Sequence, residues 1–293
     1  MKKFLYIVAA LFLLTACEYE FDVTSPVGET RMFVESISGI TGAKSYINVK
    51  KAVPVGQDKS KGTEYSLEAF TLTQDGKELA LTKEGTEGTF SYVPEAIPGS
   101  RLELRLKAQG MEEIRASSLM PAPIELEDVK CEPMEDRLYW DLSFKSEAQN
   151  LLLFIDDDYF HWFNIYSIAE NSMLEALSSQ LKTVNWLVEI PSEANETEST
   201  TVLNYSYVMI DKKSIQENSH LVFGSSAATG KIRLHLISLS DEAYGYLNAK
   251  YNRDNNFMAL LGLSPPNFAY SNVENGFGVF SATTESVIEI TIE

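Results

Sequence analysis

The chain has 293 residues, 44% of them apolar, which is enough for one large globular domain or two of ordinary size and is not typical of a disordered protein. Its acidic residues number 42 against 24 basic residues, and the formal net charge is −18. A surface this negative repels phosphate backbones and anionic lipid headgroups, so the composition excludes nucleic acid as an expected partner.

Residues 1–16 have the pattern of a bacterial lipoprotein signal peptide. Two lysines precede an uncharged apolar stretch over residues 4–14, about half the ~20 residues that a transmembrane helix needs. The stretch ends in Leu14-Thr15-Ala16-Cys17, a lipobox, in which small residues fit a signal peptidase and the thiol of Cys17 accepts a diacylglycerol. We therefore expect cleavage before an acylated Cys17, and a protein that a lipid anchors to a membrane without spanning it. The alternative is a secretory signal that carries an unrelated cysteine.

Residues 17–30 form the expected lipidated tether. Three acidic residues within positions 18–22 directly follow the lipidation site and resemble the surface-export tag of some bacteria that have two membranes. We expect a location at the outer membrane, facing the cell exterior, with the inner leaflet of that membrane as the alternative. Once Cys17 is acylated, Cys131 is the other cysteine, and one thiol cannot close an intramolecular disulfide.

Residues 31–120 predict an antiparallel β-sandwich of immunoglobulin or transthyretin type. Short segments of alternating apolar and polar residues are separated by turn pairs such as Asp75-Gly76 and Pro98-Gly99. The clearest segment is Arg101–Leu106, which places three leucines on one face and charged residues on the other. Met120-Pro121-Ala122-Pro123 interrupts any strand ladder, because proline lacks the N–H donor, and marks the boundary with a second domain.

Residues 124–293 predict a larger β-rich domain with a few short helices, so the fold class is mainly β. Alternating strands continue at first, a helix is expected around Ser172–Lys182, and the polar stretch Pro191–Thr201 has the composition of a loop. The last segment, residues 278–292, is expected to form a terminal pair of strands.

Lys231–Leu239 is the most regular strand of this second half. Its expected buried positions are Ile232, Leu234, Ile237 and Leu239. Because the alternation changes phase between Leu234 and Ile237, a β-bulge is expected there. Ser240 or Asp241 then caps a helix that we expect to end near Tyr251.

Asp156-Asp157-Asp158 contains the candidate metal ligands. Carboxylates bind hard cations such as Ca²⁺, but along a strand Asp157 faces away from Asp156 and Asp158. The spacing also lacks the downstream glutamate of a known calcium loop. We expect no metal or other cofactor, we keep Asp156 and Asp158 as candidates, and the alternative is a solvated turn at the end of a strand.

Aromatic residues are concentrated just after these aspartates. The candidate ligand-binding residues are Phe160, Trp162, Phe163 and Tyr166. Four aromatic residues are more than one edge of a small domain usually has, so they predict either a recognition surface or part of an ordinary core.

No residue pattern identifies a reaction. The three histidines are scattered without the spacing of a zinc site, and His235 is expected to be an outward residue or a hydrogen-bonded core residue. A Gly-x-Ser-x-Gly elbow is absent from the sequence, and Gly224–Lys231 has the wrong spacing for a phosphate-binding loop. Cys131 has one basic neighbour and is not expected to be a reactive thiolate. We expect a protein that is not an enzyme.

The last third of the chain resembles a known family. Leu236-Ile237-Ser238-Leu239-Ser240 is followed by Glu242–Leu247, then by Pro265-Pro266 and by Tyr270–Phe280. These phrases resemble the lipoprotein family catalogued as domain of unknown function 4249, whose members show Leu-x-Ser-Leu-Ser, Tyr-x-Tyr-Leu and Ser-Asn-Ile-x-Gly-Gly-x-Gly-Val-Phe phrases in this order. The family's paired glycines are Asn275-Gly276 here, and its upstream Phe-x-Asp-x-x-Phe-x-Gly phrase is not found.

The last of these phrases also has a physical reading of its own. Asn275, Gly276 and Gly278 adopt positive φ at low cost, so they predict a tight, bulged turn into the last strand. Val279 and Phe280 would then pack inward, which favours an architectural role over a ligand site.

The resemblance implies an accessory role beside a TonB-dependent outer-membrane receptor, a class that imports bulky nutrients. We therefore expect a lipid-anchored, non-catalytic binding or accessory module of such an uptake system. One alternative is a structural or adhesive surface protein such as a fimbrial subunit. The other is a surface hydrolase that uses the carboxylates at positions 156–158.

Overall fold

The computed structural model describes most of the chain from residue 29 onward. The described residues are 29–38, 44–53, 65–84, 88–134, 137–145, 149–157, 165–167, 182–191, 200–213, 220–226, 229–254, 256 and 270–292. No helix among these residues is long and apolar enough to cross a membrane.

The described chain is mainly β, as the sequence predicted. The strands of its first part are β1 (Arg31–Ile37), β2 (Ser45–Ala52), β3 (Leu67–Gln74), β4 (Lys77–Glu78), β5 (Thr82–Lys83), β6 (Thr89–Tyr92), β7 (Arg101–Ala108) and β8 (Ile114–Leu119). The later elements are β9 (Leu126–Met134), β10 (Arg137–Phe144), β11 (Asn150–Asp157), β12 (Ile165–Ser167), β13 (Lys182–Pro191), β14 (Thr200–Ile210), β15 (His220–Ser226), β16 (Gly230–Leu239), helix α1 (Asp241–Asp254), β17 (Phe277–Ser281) and β18 (Thr283–Ile292).

The first sandwich packs a five-stranded sheet, in the order β17-β1-β2-β6-β5, against a four-stranded sheet, in the order β4-β3-β7-β8. Its strands bury alternate residues, as in β7, where Leu102, Leu104 and Leu106 point into the core. Met32 and Val34 of β1 reach the same core from the opposite sheet. Burying one face of each sheet is what the period-two pattern predicted.

Strand β17 corrects the expectation of a terminal strand pair. It runs parallel to β1, with Val34 opposite Gly278, whereas β18 pairs with β16 in the other half of the molecule. A single buried residue, Ala282, separates β17 from β18. The first sandwich therefore contains residues 277–281 as well as strands from the expected domain 31–120.

The second sandwich packs the sheet β12-β15-β10-β9 against the sheet β13-β14-β11-β16-β18. Its core surrounds Trp140, whose ring stacks on Phe223 with centroids 5.9 Å apart and whose indole N–H donates to Ser225 at 2.9 Å. The hydrogen bond satisfies the one polar atom of this buried ring.

Helix α1 covers part of the outer face of the larger sheet. Ser240 caps it as predicted, because its side-chain oxygen accepts the N–H of Ala243 at 3.2 Å. The helix ends at Asp254, a few residues beyond the expected end. Ala243 and Leu247 pack on the outer-face residues of β11, β14 and β16, forming a second apolar layer.

This outer layer explains why the expected β-bulge in β16 is wrong. The strand keeps one continuous register with both β11 and β18. All four residues expected to be buried are buried, but Leu234 faces the sandwich core while Ile237 and Leu239 face the layer under α1. The change of phase in the sequence marks burial on both faces and not an extra residue.

Two other expectations fall mostly outside the described residues. These are the helix at 172–182, of which Lys182 begins β13, and the loop at 191–201, of which residues 192–199 are not described.

The two sandwiches meet at a junction formed by Ser118, Ser240, Glu242 and Ala282. The Ser118 hydroxyl donates to the Glu242 carboxylate at 2.7 Å, lies 3.0 Å from the Ser240 hydroxyl and accepts the N–H of Ala282 at 3.1 Å. One hydroxyl thus ties β8 to the start of α1 and to the chain between β17 and β18.

Strands β1 and β17 both run toward this junction. Just past β1, Ser38 accepts a hydrogen bond from the Thr283 hydroxyl through its backbone carbonyl. Arg31, at the start of β1, therefore lies at the end of the first sandwich farther from the junction. Because a strand rises about 3.3 Å per residue, β18 carries the chain roughly 30 Å onward from the junction.

Candidate functional site

The structure describes few of the predicted site residues. Cys17, Asp158, Phe160, Trp162 and Phe163 lie outside the described residues. Tyr166 lies in β12, where its backbone pairs with Gly224 of β15, and its side chain is not described. Asp156 is the one metal candidate that the structure places, and it leads to the candidate site.

Asp156 lies within a cluster of four charged side chains on the outer face of the larger sheet. The other members are Arg233 and His235 of β16 and Glu285 of β18, and we call this set the charge cluster. Arg233 lies opposite Asp156 in the register of β11 and β16, and His235 follows two residues later on the same face. Alternation along three adjacent strands thus brings together residues that are up to 129 positions apart.

Hydrogen bonds connect all four members. The Arg233 Nε–H donates to Asp156 Oδ1 at 2.9 Å. The two ring nitrogens of His235 face different carboxylates, Nε2 lying 3.2 Å from Asp156 and Nδ1 lying 2.7 Å from Glu285. Beneath the imidazole lies the ring of Phe154, with centroids 4.1 Å apart and planes 11° from parallel. The imidazole is therefore held on both edges and on one face.

This geometry favours the protonated form of His235. A neutral imidazole has one N–H donor and would direct the lone pair of its other nitrogen at a carboxylate, whereas the cation donates to both. Burial by itself lowers the pKa of His235, but the hydrogen bonds to Asp156 and Glu285 outweigh it and the pKa is raised.

The pKa of Asp156 is shifted in the opposite direction, which favours its charged form. Burial by itself raises the pKa of this carboxyl group, but hydrogen bonds from His235 and Arg233 outweigh it, and its pKa is lowered. With His235 protonated, the cluster contains two cations and two carboxylates, which balance in charge.

The arrangement suits neither a metal ion nor a general base. The two carboxylates lie at opposite nitrogens of one ring, and Arg233 occupies the carboxylate of Asp156. Among the described residues no group of three or more metal-binding side chains converges. A base needs a free nitrogen, and both nitrogens of His235 face carboxylates. The cluster's chemistry is that of a cross-strand ionic connection.

The sequence contained a partial signal for this cluster. Lys231, Arg233 and His235 occupy every second position of one strand, so they share a face. Asp156 was considered for a metal, and His235 was expected to be outward or satisfied by hydrogen bonds. Glu285 was missed, because nothing local indicates that β18 lies beside β16.

Cys131 is half-buried in β9. Burial, with a smaller contribution from the charge of Glu132, raises the pKa of its thiol to about 11. The thiol is therefore protonated at neutral pH and is a weak nucleophile.

The phrase at residues 270–280 lies along the edge of the first sandwich. The Asn272 amide donates to the carbonyl of Phe280 at 2.7 Å and to that of Ser117 at 3.2 Å, and it accepts the N–H of Phe280 at 3.0 Å. The Asn272 side chain thus bonds the backbone of β17 as a neighbouring strand would, and it connects β17 to β8. The phrase therefore closes a sheet edge.

The turn in this phrase is tight, as expected, although one residue differs in detail. Asn275 and Gly278 have positive φ, at 58° and 110°, whereas Gly276 does not. Gly276 is needed for close approach, because a Cβ there would lie 2.9 Å from the carbonyl oxygen of Met32. Val279 and Phe280 are fully buried as expected.

The domain of unknown function DUF4249 matches residues 17–289, nearly the whole chain. The chain belongs to the DUF4249 family. No curated protein matches it.

Within this DUF4249 chain, parts of the described phrases that carry the resemblance meet at the junction. Ser240 and Glu242 bond to Ser118. The Tyr246 hydroxyl donates to Glu35 of β1 at 2.9 Å. A Cβ at Gly245 would lie 2.7 Å from the ring of Tyr270, so the helix and the last phrase approach closely. These residues connect the two sandwiches, and the charge cluster lies farther along the same sheet.

Proposed function

We propose that this protein is a lipid-anchored outer-membrane lipoprotein that serves as a non-catalytic binding or accessory module of a TonB-dependent nutrient uptake system. The lipobox at Cys17 supports the anchor, and the DUF4249 membership supports the uptake system through the association of that family with such receptors.

The observation that carries the proposal is where the tether enters the fold. Cys17 precedes β1 by a tether, residues 17–30, that spans at most about 50 Å when fully extended. The tether joins the first sandwich at Arg31, at the end away from the junction, while β17 and β18 lead from that sandwich into the second. In an anchored molecule, the tether would attach at the end of the first sandwich away from the second, which supports a second sandwich that is accessible to a partner.

The edges of the first sandwich also favour this role over polymerisation by strand exchange. Asn272 occupies the edge of β17, and the backbone of Glu274 bonds to Arg115 of the edge strand β8. At the other side, the edge strands β4 and β5 have two residues each. An adhesive subunit that accepts a donor strand needs a long open edge. Among the described residues of this sandwich, two of the four sheet edges are partly covered and the other two end in two-residue strands.

The test is recovery of partners from the outer membrane. Tagged protein would be extracted in mild detergent, captured and examined by mass spectrometry, beside the variants Cys17→Ser and Cys131→Ser. We expect a TonB-dependent receptor in near-stoichiometric amount with wild type and with Cys131→Ser, and its loss with Cys17→Ser.

Palmitate labelling of the same three proteins separates the anchor from the partner. Label on wild type and Cys131→Ser, but not on Cys17→Ser, supports lipidation of Cys17. If the label follows this pattern while no receptor is recovered, the accessory role is wrong and the anchor stands. If the protein is instead recovered as a ladder of its own polymers, the adhesive alternative replaces the proposal.

A further inference from the structure

The charge cluster connects an edge strand to the interior of its sheet. In the described part of the larger sheet, β18 lies at one end of the strand order and pairs with β16 alone. Glu285 projects from β18 to Nδ1 of His235 on β16, and Nε2 of the same ring reaches Asp156 on β11. One imidazole therefore joins three adjacent strands side by side.

Protonation of His235 decides whether these contacts attract or repel. With the proton present, the ring donates to both carboxylates, and Arg233 makes the cluster neutral. Without it, one nitrogen presents a lone pair to a carboxylate at 2.7 or 3.2 Å. The cluster then has two carboxylates and one cation, Arg233, which bonds Asp156. Because these side chains are mostly buried, water screens the change only weakly.

The groups around the imidazole come from every described element beside it. On its own strand are Arg233 and, farther out, Lys231, which pairs with Glu289 of β18 at 2.7 Å. From β11 come Asp156 and the Phe154 ring, whose other neighbour is Tyr207 of β14. Helix α1 adds to this face the tyrosines Tyr244, Tyr246 and Tyr251. Among these groups, His235 is the one with an ordinary pKa near neutrality.

We propose that the charge cluster is a proton-dependent lock on β18: protonated His235 holds this edge strand to β16 and β11, and loss of the proton releases it. The same strand continues through Ala282 into β17 of the first sandwich. Release of β18 therefore loosens the strand that passes from one sandwich to the other.

The direction of the pH dependence follows from the two shifted groups. The pKa of His235 is raised by folding, so its stabilisation is complete below about 6.5 and is lost as the pH rises through the higher folded pKa. The pKa of Asp156 is lowered, so its stabilisation is present above about 3.8 and is lost as the pH falls through the lower folded pKa. The lock is closed between these two transitions.

The first measurement is the titration of His235 by NMR of its ring nitrogens in the folded protein. We expect both nitrogens to be protonated at pH 6.5 and a midpoint above 6.5. A neutral ring at that pH, or a midpoint below 6.5, would overturn the proposal without any need for a variant.

The second measurement is hydrogen exchange of the β18 amides from pH 6 to pH 9, corrected for the intrinsic pH dependence of exchange. In wild type we expect corrected exchange to quicken about tenfold for each unit by which folding raises the pKa of His235. His235→Gln should exchange quickly even at pH 6 and show no such acceleration with pH, whereas Glu285→Gln, which keeps the contact of His235 with Asp156, should show a smaller acceleration.

The matched control is Lys231→Gln, which breaks an exposed ion pair between the same two strands. In Lys231→Gln, the exchange of the β18 amides should still accelerate at the same pH as in wild type. Corrected exchange in wild type that stays constant across the range, or an acceleration that Lys231→Gln abolishes and His235→Gln retains, would contradict the lock.

Discussion

The two sandwiches differ in how their strands are buried. In the first sandwich, β1 and β7 alternate regularly between buried and partly exposed residues. In the second, seven consecutive residues of β11 are buried, because its inner face meets the core around Trp140 and its outer face meets the layer under α1. A strand with a cover on both faces cannot show a simple period of two.

The sandwiches also differ in where they hold polar groups. The first sandwich uses side-chain hydrogen bonds to close an edge, as Asn272 does beside β17. The second places the charge cluster on the outer face of its larger sheet. Polar side chains thus complete an edge in the first sandwich, whereas in the second they form an ionic connection across three strands of one face.

The largest expected loss of stability is that of Gly278→Ala, which disrupts the pairing of β17 with β1 in the first sandwich. A Cβ there would overlap the carbonyl oxygen of Val34, and φ is 110°. We expect a loss of about 3 kcal/mol or more in the free energy of unfolding. Gly110→Ala is the control, because its φ is also positive but nothing lies within 4 Å of the added Cβ, and about 1–2 kcal/mol is expected. Urea denaturation measures both, and equal losses would mean that β17 is not held as described.

Core truncation tests whether the two sandwiches unfold together. All three tryptophans, Trp140, Trp162 and Trp186, belong to the second half of the sequence, so their fluorescence reports on that half. Leu104→Ala in the first core and Leu142→Ala in the second should each cost about 2–5 kcal/mol. If the junction couples the sandwiches, both variants lower the fluorescence midpoint. A midpoint that responds to Leu142→Ala alone would show that the sandwiches unfold independently.

Ser118→Ala removes the hydroxyl at the centre of the junction. It leaves the N–H of Ala282 and the carboxylate of Glu242 without this partner, for an expected cost of about 2 kcal/mol. The unfolding of the two halves should become less coincident, as followed by fluorescence and by hydrogen exchange in β7. Ser117→Ala is the matched control, since this neighbour makes an exposed hydrogen bond to Arg101, and a change under about 0.5 kcal/mol is expected. If the two variants lose the same stability, Ser118 does not connect the two sandwiches as described.

The smallest expected effect is on the reactivity of Cys131, whose alkylation rate is a local probe of the second sandwich. In a Cys17→Ser background it is the one thiol in the sequence. Because its pKa is about 11, alkylation at pH 7.5 should be slow and should accelerate about tenfold per pH unit toward pH 11. Mass spectrometry follows the reaction. Rapid labelling at pH 7.5 in the native protein would show that β9 opens more readily than its burial implies.

Much of the fold was predictable because it depends on short-range patterns. Alternation in Arg101–Leu106 indicated a half-buried strand, and Ser240 with Asp241 indicated the start of a helix, since both signals reside within a few residues. The DUF4249 membership was also recognisable from local phrases near the C-terminus.

The candidate site was predictable only in fragments. Asp156 and His235 were noticed separately, and their partner Glu285 was not, because cross-strand neighbours are set by sheet order and not by sequence distance. The metal interpretation of Asp156 considered the next two aspartates, whereas the structure pairs Asp156 with Arg233 and His235.

By itself, the sequence determined the class of fold, the strands with one buried face, the cap of α1 and the lipobox on which the proposed anchor depends, because propensity, periodicity and capping act locally. The tertiary structure alone decided that β17 leaves the second half to complete the first sandwich, that β16 is buried on both faces and that four distant charges form one cluster. Those outcomes depend on which strands become neighbours, and that choice minimises exposed apolar surface and unpaired edges over the whole chain.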